Sequence, residues 1–197
     1  MKNNWQEIWQ RKEIGTGDKS LLEKLIDIDG FSSPFGQLNN VKNWEDYIEK
    51  IIEKLGIKKG DSIFEVGCGA GAFLYPFYRM WHSVGGIDYA KNLVEVAKES
   101  MPQGNFESGD AAGIRSDEKY DFAISNGVFL YFPDYNYAKE VLQRMFAISR
   151  KGIGIFDVPD LSRKEESIKE RMKTLGEAEY EKKYKGLDHL YYYKDWF

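Results

Sequence analysis

The sequence predicts an α/β fold, a doubly wound and mainly parallel sheet flanked by helices, on three observations. Apolar runs of strand length alternate with stretches of helical periodicity between residues 43 and 158. Each run ends in small or polar residues, as expected where parallel strands deliver their loops to one edge of a sheet. The chain has 197 residues, 42% hydrophobic and 30% charged, which suits one domain with a sizeable core. Right-handed crossovers are then expected between successive strands.

Residues 43–55, NWEDYIEKIIEKL, place Trp44, Tyr47, Ile48, Ile51, Ile52 and Leu55 at helical spacing. Asn43 is expected to cap this helix and Gly56 to end it. KKGD then turns the chain, and SIFEV (62–66) reads as a short buried strand. A helix over roughly 71–81 follows, with Pro76 expected to kink it or shift its start. SVGGID (83–88) is the second strand, and residues 90–100 the next helix, with Leu93, Val94 and Ala97 inward. NFESGD (105–110) and DFAISN (121–126) are the third and fourth strands. A helix over about 136–149 turns Val141, Leu142, Met145 and Phe146 to the core. GIGIFDV (152–158) is the fifth strand, and LSRKEESIKERMKTLG starts a charged surface helix.

Open parallel sheets bind ligands beyond the carboxyl ends of their strands, near the switch in strand order. Those ends carry Glu65 with the loop Gly67-Cys68-Gly69-Ala70-Gly71, then Asp88, Asp110, Ser125-Asn126-Gly127 and Asp157. Three alternate glycines where a loop opens a helix read as backbone bared for a ligand. Free N–H groups and the positive helix end would then point outward. Asp88 lies 21 positions after Gly67. That is close to the roughly 20 that separate the first glycine from the ribose-binding acid in nucleotide-binding βαβ units. Gly67, Gly69 and Ala72 also satisfy G-x-G-x-x-G/A, so the fingerprint leaves a dinucleotide open as ligand. Plainer readings stand beside these: the glycines of EVGCGAG as a tight strand–helix turn only, Asp88 as a helix cap, Asp110 and Asn126 as turn residues.

Taken in order, EVGCGAGAF, GIDYA, GDAAGI and DFAISNGVFLYF resemble the successive motifs of the class I S-adenosylmethionine-dependent methyltransferases of small-molecule type. The resemblance covers about residues 43–158. It implies a Rossmann-like sheet, S-adenosyl-L-methionine as cofactor and S-adenosylhomocysteine as product. It also implies a set of binding residues. Glu65, Gly67, Gly69 and Gly71 would frame the methionyl end, with Cys68 a small neutral spacer in the same loop. Asp88 would hold the ribose hydroxyls, with Tyr89 beside the adenine. Asp110 would accept from the adenine amino group, and Ala111 would offer its backbone N–H to the ring. Asn126, Gly127 and Val128 would pass near the sulfonium and methionyl groups. The expected organisation is a single domain over residues 1–197. Residues 1–42 are an amino-terminal helical lid or cap, 43–158 the cofactor-binding core, and 159–197 a carboxy-terminal segment.

Methyl transfer from a sulfonium to an O, N or C atom is a direct displacement with an activated leaving group. Alignment can supply on the order of 7–11 kcal/mol of barrier reduction. A general base is needed only where the nucleophile must lose a proton, so no residue is assigned as catalytic. Methylases of exocyclic amino groups in DNA resemble one another in an Asn/Asp-Pro-Pro-aromatic run after strand four, where this chain has SNGVF. Cytosine-carbon methylases use a cysteine after that strand, whereas the single cysteine here, Cys68, sits in the glycine loop. With 28 basic against 32 acidic residues and a formal charge of −4, the chain lacks the broad positive field of nucleic-acid or anionic-membrane binders. A small-molecule acceptor is therefore expected, ahead of an RNA or protein acceptor, with no nucleic acid and no membrane as partner. One cysteine cannot form an internal disulfide or build a metal cluster, so no metal site and a cytoplasmic setting are expected. The amino terminus lacks the apolar core of a signal peptide, and no apolar run approaches the roughly 20 residues of a membrane span.

The acceptor surface is expected from three irregular stretches. These are GVFLYFPDYNY (127–137), the amino-terminal Trp5, Ile8 and Trp9 before the flexible GTGD, and LDHLYYYKDWF (187–197). Within the last, Tyr191, Tyr192 and Tyr193 read as an exposed or edge strand or as a pocket wall. His189 reads as a surface histidine or a base, and His82 as structural. The resembling family continues its sheet past strand five with two more strands, the last antiparallel, whereas only residues 159–197 follow here. A carboxy-terminal part missing by truncation or disorder is expected, with an uncovered sheet edge at strand five. Two rival functions stay open: a nicotinamide-dependent oxidoreductase, and a methyltransferase-like module that is catalytically silent.

Overall fold

The computed structural model describes residues 5–32, 40–115 and 117–197; residues 1–4 and 33–39 of the expected amino-terminal lid lie outside them. Five strands, β1 (Ile63–Val66), β2 (Val84–Asp88), β3 (Asn105–Ser108), β4 (Tyr120–Asn126) and β5 (Ser149–Phe156), form one sheet. Its order is β3-β2-β1-β4-β5 and every pairing is parallel. The order reverses between β1 and β4, so the ends of these strands flank the switch point. Among the described residues β5 pairs with β4 alone and forms one edge of the sheet.

Side chains alternate across each strand, and the two faces carry separate cores. Ile63, Val84, Phe122 and Ile124 meet α2 (Leu21–Ile28), α3 (Val41–Leu55), α4 (Leu74–Arg79) and α5 (Lys91–Ser100) through Leu25, Trp44, Ile48, Phe77 and Leu93. Phe64, Val66, Ile87 and Ala123 meet α6 (Tyr135–Ile148) through Val141, Met145 and Ile148, with Tyr192 from the carboxy-terminal segment. Glu65 therefore shares its face with Ile63, on the side covered by α2 to α5.

The expected helices form, with shifted ends. α3 starts at Val41, and its cap is Asn40 rather than Asn43: the Asn40 side chain accepts from the Asn43 N–H at 2.9 Å. Gly56 ends it in the left-handed conformation, φ 68°. α4 begins only at Leu74, which leaves Pro76 in its first turn, where a missing N–H costs nothing. On α6 the buried stripe is Ala138, Val141, Met145 and Ile148. Phe146, expected inside, is 60% exposed because it lies one position past Met145 and so off the stripe.

The helical reading of Trp5, Ile8 and Trp9 corresponds to the short α1 (Trp5–Trp9), whereas α2 and α8 (Glu177–Tyr184), which follows the charged α7 (Lys164–Leu175), were not anticipated individually. α2 did carry a signal. Ser20 and Glu23 form a capping box, each side chain bonded to the other residue's backbone N–H. The tyrosine run is not a strand. It makes one isolated bridge, Asp160 to Tyr192, and Tyr191 and Tyr192 are buried while Tyr193 is exposed.

Candidate functional site

The glycine loop departs from its expected role in an informative way. Gly67, Gly69 and Gly71 have φ of 75°, 50° and 91°, which non-glycine residues resist. Each also meets protein where a Cβ would be. That atom would lie 2.4 Å from Val128 Cγ2 at Gly67, 2.4 Å from Asp29 Oδ1 at Gly69, and 2.3 Å from Met101 Cε at Gly71. Backbone conformation favours glycine at all three positions, and at Gly67 and Gly69 the packed Val128 and Asp29 side chains require it as well.

The amides expected to point outward are engaged as well. Gly67 and Cys68 donate to the Ile87 carbonyl, and Gly71 donates to that of Cys68. Gly69 donates to Asp88 Oδ2 at 2.9 Å. Ala70 donates to Asp29 Oδ1 at 2.7 Å and Ala72 to Asp29 Oδ2 at 2.9 Å. Carboxylates of the protein itself thus occupy the loop.

Asp29, just past the end of α2, was invisible in the sequence: Asp-Gly after a short helix reads as a turn. It lines the cavity described below, and its enclosed carboxyl is pushed up to about 7. Burial is the main cause, the two loop amides pull the other way, and Asp88 and Lys12 act as opposing nearby charges. Glu65 is 2% exposed and sits well above the usual carboxylate range, through burial and then the charges of Asp29 and Asp88. Asp88 is raised by burial against its bonds to Ala90 and Gly69. Its Oδ1 accepts from the Ala90 N–H, a turn bond leading into α5; the cap position is Ala90 and carries no side-chain cap, so Asp88 is not the helix cap. The Cys68 thiol is buried and pushed up, which keeps it neutral.

At the end of β3, Asp110 Oδ1 accepts from the Ala112 N–H at 2.8 Å and from the Tyr137 hydroxyl at 2.6 Å. The same hydroxyl lies against the Ala111 and Ala112 amides. It occupies the edge that the family resemblance gives to adenine. At the end of β4, Tyr47 donates to Asn126 Oδ1 at 2.7 Å, which fixes the amide and leaves its NH₂ turned the other way.

These groups line one cavity of about 690 Å³ at the carboxyl ends of the strands. Of the residues expected there, Glu65, Gly67, Cys68, Gly69, Asp88, Tyr89, Asp110, Ala111, Asn126, Gly127 and Val128 reach the wall. Gly71 does not; its loop turn packs on α5. Asp157 also stays off the wall, at the end of β5 with φ 53°. Two of the three irregular stretches contribute: Trp5 and Trp9 from α1, and Tyr131, Phe132, Pro133 and Tyr137 from the 127–137 run. Ile8 is exposed.

The third stretch, 187–197, stays off the wall. His189 instead stacks on Trp5, rings 4.8 Å apart at 10°. It is neither a surface histidine nor placed as a base. Arg171 donates to its Nδ1 at 2.9 Å, and burial with that guanidinium lowers its pKa to about 4. His82 is structural, its Nδ1 donating to the Asp61 carbonyl at 2.8 Å.

Among the described residues, two buried atoms on the wall have no hydrogen-bond partner: Glu65 Oε2, an acceptor, and Asn126 Nδ2, a donor. Leaving such atoms unpaired costs about 1–3 kcal/mol each. An amino-acid moiety, with its ammonium and its carboxylate, offers one complement to each. The donor set of the cavity therefore fits the methionyl group of S-adenosylmethionine.

Residues 63–152 match the family model described as a methyltransferase domain. Demethylmenaquinone methyltransferase of Staphylococcus aureus (strain MRSA252) is 27% identical over 124 residues, 58% of this chain and 52% of that protein. The chain spans about half the length of the curated relatives it matches. Among solved structures, magnesium protoporphyrin IX methyltransferase from Synechocystis PCC 6803, with bound SAH, superposes with TM-score 0.62 at 16% identity. It covers 98% of this chain and 78% of that one. An S-adenosylmethionine-dependent methyltransferase from Clostridium acetobutylicum ATCC 824 gives 0.55 at 15% identity, covering 70% and 55%. Strand order and neighbours agree on the fold, the Rossmann-like sheet of the S-adenosylmethionine-dependent methyltransferases, and residues 63–152 are similar to a methyltransferase domain.

Proposed function

We propose that this chain transfers the methyl group of S-adenosyl-L-methionine to an O, N or C atom of a small-molecule acceptor. The observation that carries this reading over the nicotinamide alternative is the occupied glycine loop. A dinucleotide lays its pyrophosphate on loop amides at a helix start. Here Asp29 and Asp88 hold three of those amides and would repel it. The same carboxylates favour a ligand that carries an ammonium and a sulfonium.

When bound, the cofactor supplies an activated methyl on sulfur. Glu65 Oε2 would receive the ammonium, and Asn126, held by Tyr47, would donate to the methionyl end. Asp88 would accept from ribose hydroxyls with lone pairs its backbone bonds leave over. Tyr89, Asp110 and Ala111 would border the adenine once the Tyr137 hydroxyl yields its place. Trp5, Trp9, Tyr131 and Phe132 would exclude water and form the acceptor wall, with cation–π attraction for the sulfonium. In this organisation residues 1–42 act as the lid, 43–158 as the cofactor core and 159–197 as its brace. The brace is tied to the lid where Trp5 donates to the Asp188 carbonyl at 3.0 Å. No described helix is long and apolar enough to cross a membrane. A cytoplasmic setting is part of the proposal and rests on the single cysteine.

A thermal-shift comparison tests the cofactor. S-adenosylhomocysteine should raise the melting temperature in proportion to its occupancy of the folded state, and NAD should not. The reverse result establishes the oxidoreductase reading, and no shift with either favours a silent module. A metabolite pool incubated with labelled cofactor should then show one labelled small molecule.

A further inference from the structure

The strongest unassigned feature is the bond between the amino-terminal segment and the glycine loop. Residues 5–32 supply a broad part of the cavity wall, including Trp5, Trp9, Asp29 and Phe31. The segment is anchored by the buried α2 side chains Leu22, Leu25, Ile26 and Ile28 and by the Trp5 bond to the Asp188 carbonyl. Asn92 on α5 donates to the Trp9 and Lys12 carbonyls at 3.2 and 2.7 Å, and Lys12 donates to the Ile28 carbonyl at 2.9 Å. Among the described residues, Asp29 supplies the side-chain hydrogen bonds that join the segment to the loop, across 41 and 43 positions of sequence. Both of its oxygens accept, a pattern made by a carboxylate and weakened by a proton on either oxygen. Gly69 is bare where that carboxylate lies, so loop and clamp are shaped to each other.

We propose that Asp29 is a positioning residue whose carboxylate clamps the amino-terminal segment onto the glycine loop, so that segment closure, loop order and cofactor affinity change together. The inference rests on the cofactor reading above and adds a residue to it. The groups facing Asp29 are Lys12 on its own segment, Asp88 at the end of β2, Glu65 on β1 and the neutral Cys68 in the loop. Burial first, and Asp88 after it, opposed by the two loop amides and Lys12, leave the clamp poised between protonated and ionised near neutral pH. The ammonium that the cofactor and S-adenosylhomocysteine share favours the ionised form. Cofactor uptake near pH 7 should therefore release protons, and affinity should fall as the solution is acidified.

The test is calorimetric titration of S-adenosylhomocysteine between pH 6 and pH 8.5, on wild type and on Asp29→Asn. Wild type should lose affinity severalfold towards pH 6. Asp29→Asn should bind about tenfold more weakly at pH 8 and show a much flatter profile. A residue that merely supported the fold would lower affinity without flattening the pH profile. A variant that binds like wild type, or that keeps the wild-type pH slope, overturns the proposal. Wild type that binds nothing at any pH overturns the cofactor reading and this inference with it. A second measurement needs no variant and no ligand. In the unliganded protein the Ala70 and Ala72 amide resonances should shift with a common midpoint near pH 7. Amides that stay fixed across that range also overturn the clamp.

Discussion

The two ends of the cavity differ in how their polar groups are spent. On the adenosyl side, Asp88 holds two amides, and Asp110 holds an amide and the Tyr137 hydroxyl. On the methionyl side, Glu65 Oε2 and Asn126 Nδ2 are buried and unpartnered. The satisfied side shows what the chain needs in order to fold. The unsatisfied side shows what it needs from outside. A glycine motif belongs mostly to the first kind, although it first draws the eye as a ligand signal.

The largest expected effect breaks the satisfied side. Gly67→Ala adds a Cβ at positive φ and 2.4 Å from Val128 Cγ2. It should cost about 2–4 kcal/mol of stability in thermal or urea unfolding. Adding Val128→Ala should return the part due to the clash and leave the part due to φ. A Gly67→Ala protein as stable as wild type would show that packing does not dictate this glycine.

Next comes the orphan acceptor. Glu65→Gln removes a buried charge and the one feature aimed at an ammonium. It should weaken S-adenosylhomocysteine at least tenfold, about 1.4 kcal/mol, while the unliganded variant melts higher than wild type at pH 8. Equal affinity would place the ammonium elsewhere.

A smaller effect separates fold from function at Asp29. Its folded pKa of about 7 lies above its unfolded value, so the folded state holds the proton longer. Stability from this group is complete at low pH and falls as pH rises towards 7. The depressed His189 acts in the opposite sense, since stability there is lost as pH falls through its unfolded value. That contribution is common to both proteins and cancels in a comparison. The melting temperature of Asp29→Asn relative to wild type should therefore climb between about pH 5 and pH 7 and then level. A constant difference would mean that the carboxyl keeps an ordinary pKa.

The mildest effect concerns the adenine edge. Tyr137→Phe frees Asp110 and the Ala111 amide, and should strengthen cofactor binding a few-fold in the same titration. Weaker binding would make the hydroxyl a contributor to the site instead of an occupant of it.

These contrasts also explain what could be read in the sequence. Strand period and strand-end chemistry are local, and so the parallel sheet, its five strands and most of the wall from Glu65 to Val128 were legible. Gly71 lies off the cavity wall, which the motif could not show because it records that a glycine is needed and not what approaches it, here Met101. Asp29 was missed because its partners are 41 and 43 residues away, and nothing in the short Asp-Gly turn says where its side chain goes. His189 could not be judged for a similar reason: its stacking on Trp5 joins the two ends of the chain.

One crystal structure with S-adenosylhomocysteine bound bears most directly on the central claim that the orphaned atoms mark the methionyl end. The ligand's ammonium should lie within hydrogen-bond distance of Glu65 Oε2, and an acceptor of its methionyl group should meet Asn126 Nδ2. A bound nucleoside that leaves both atoms unpaired, or that sits away from the β1–β4 switch point, would contradict the account.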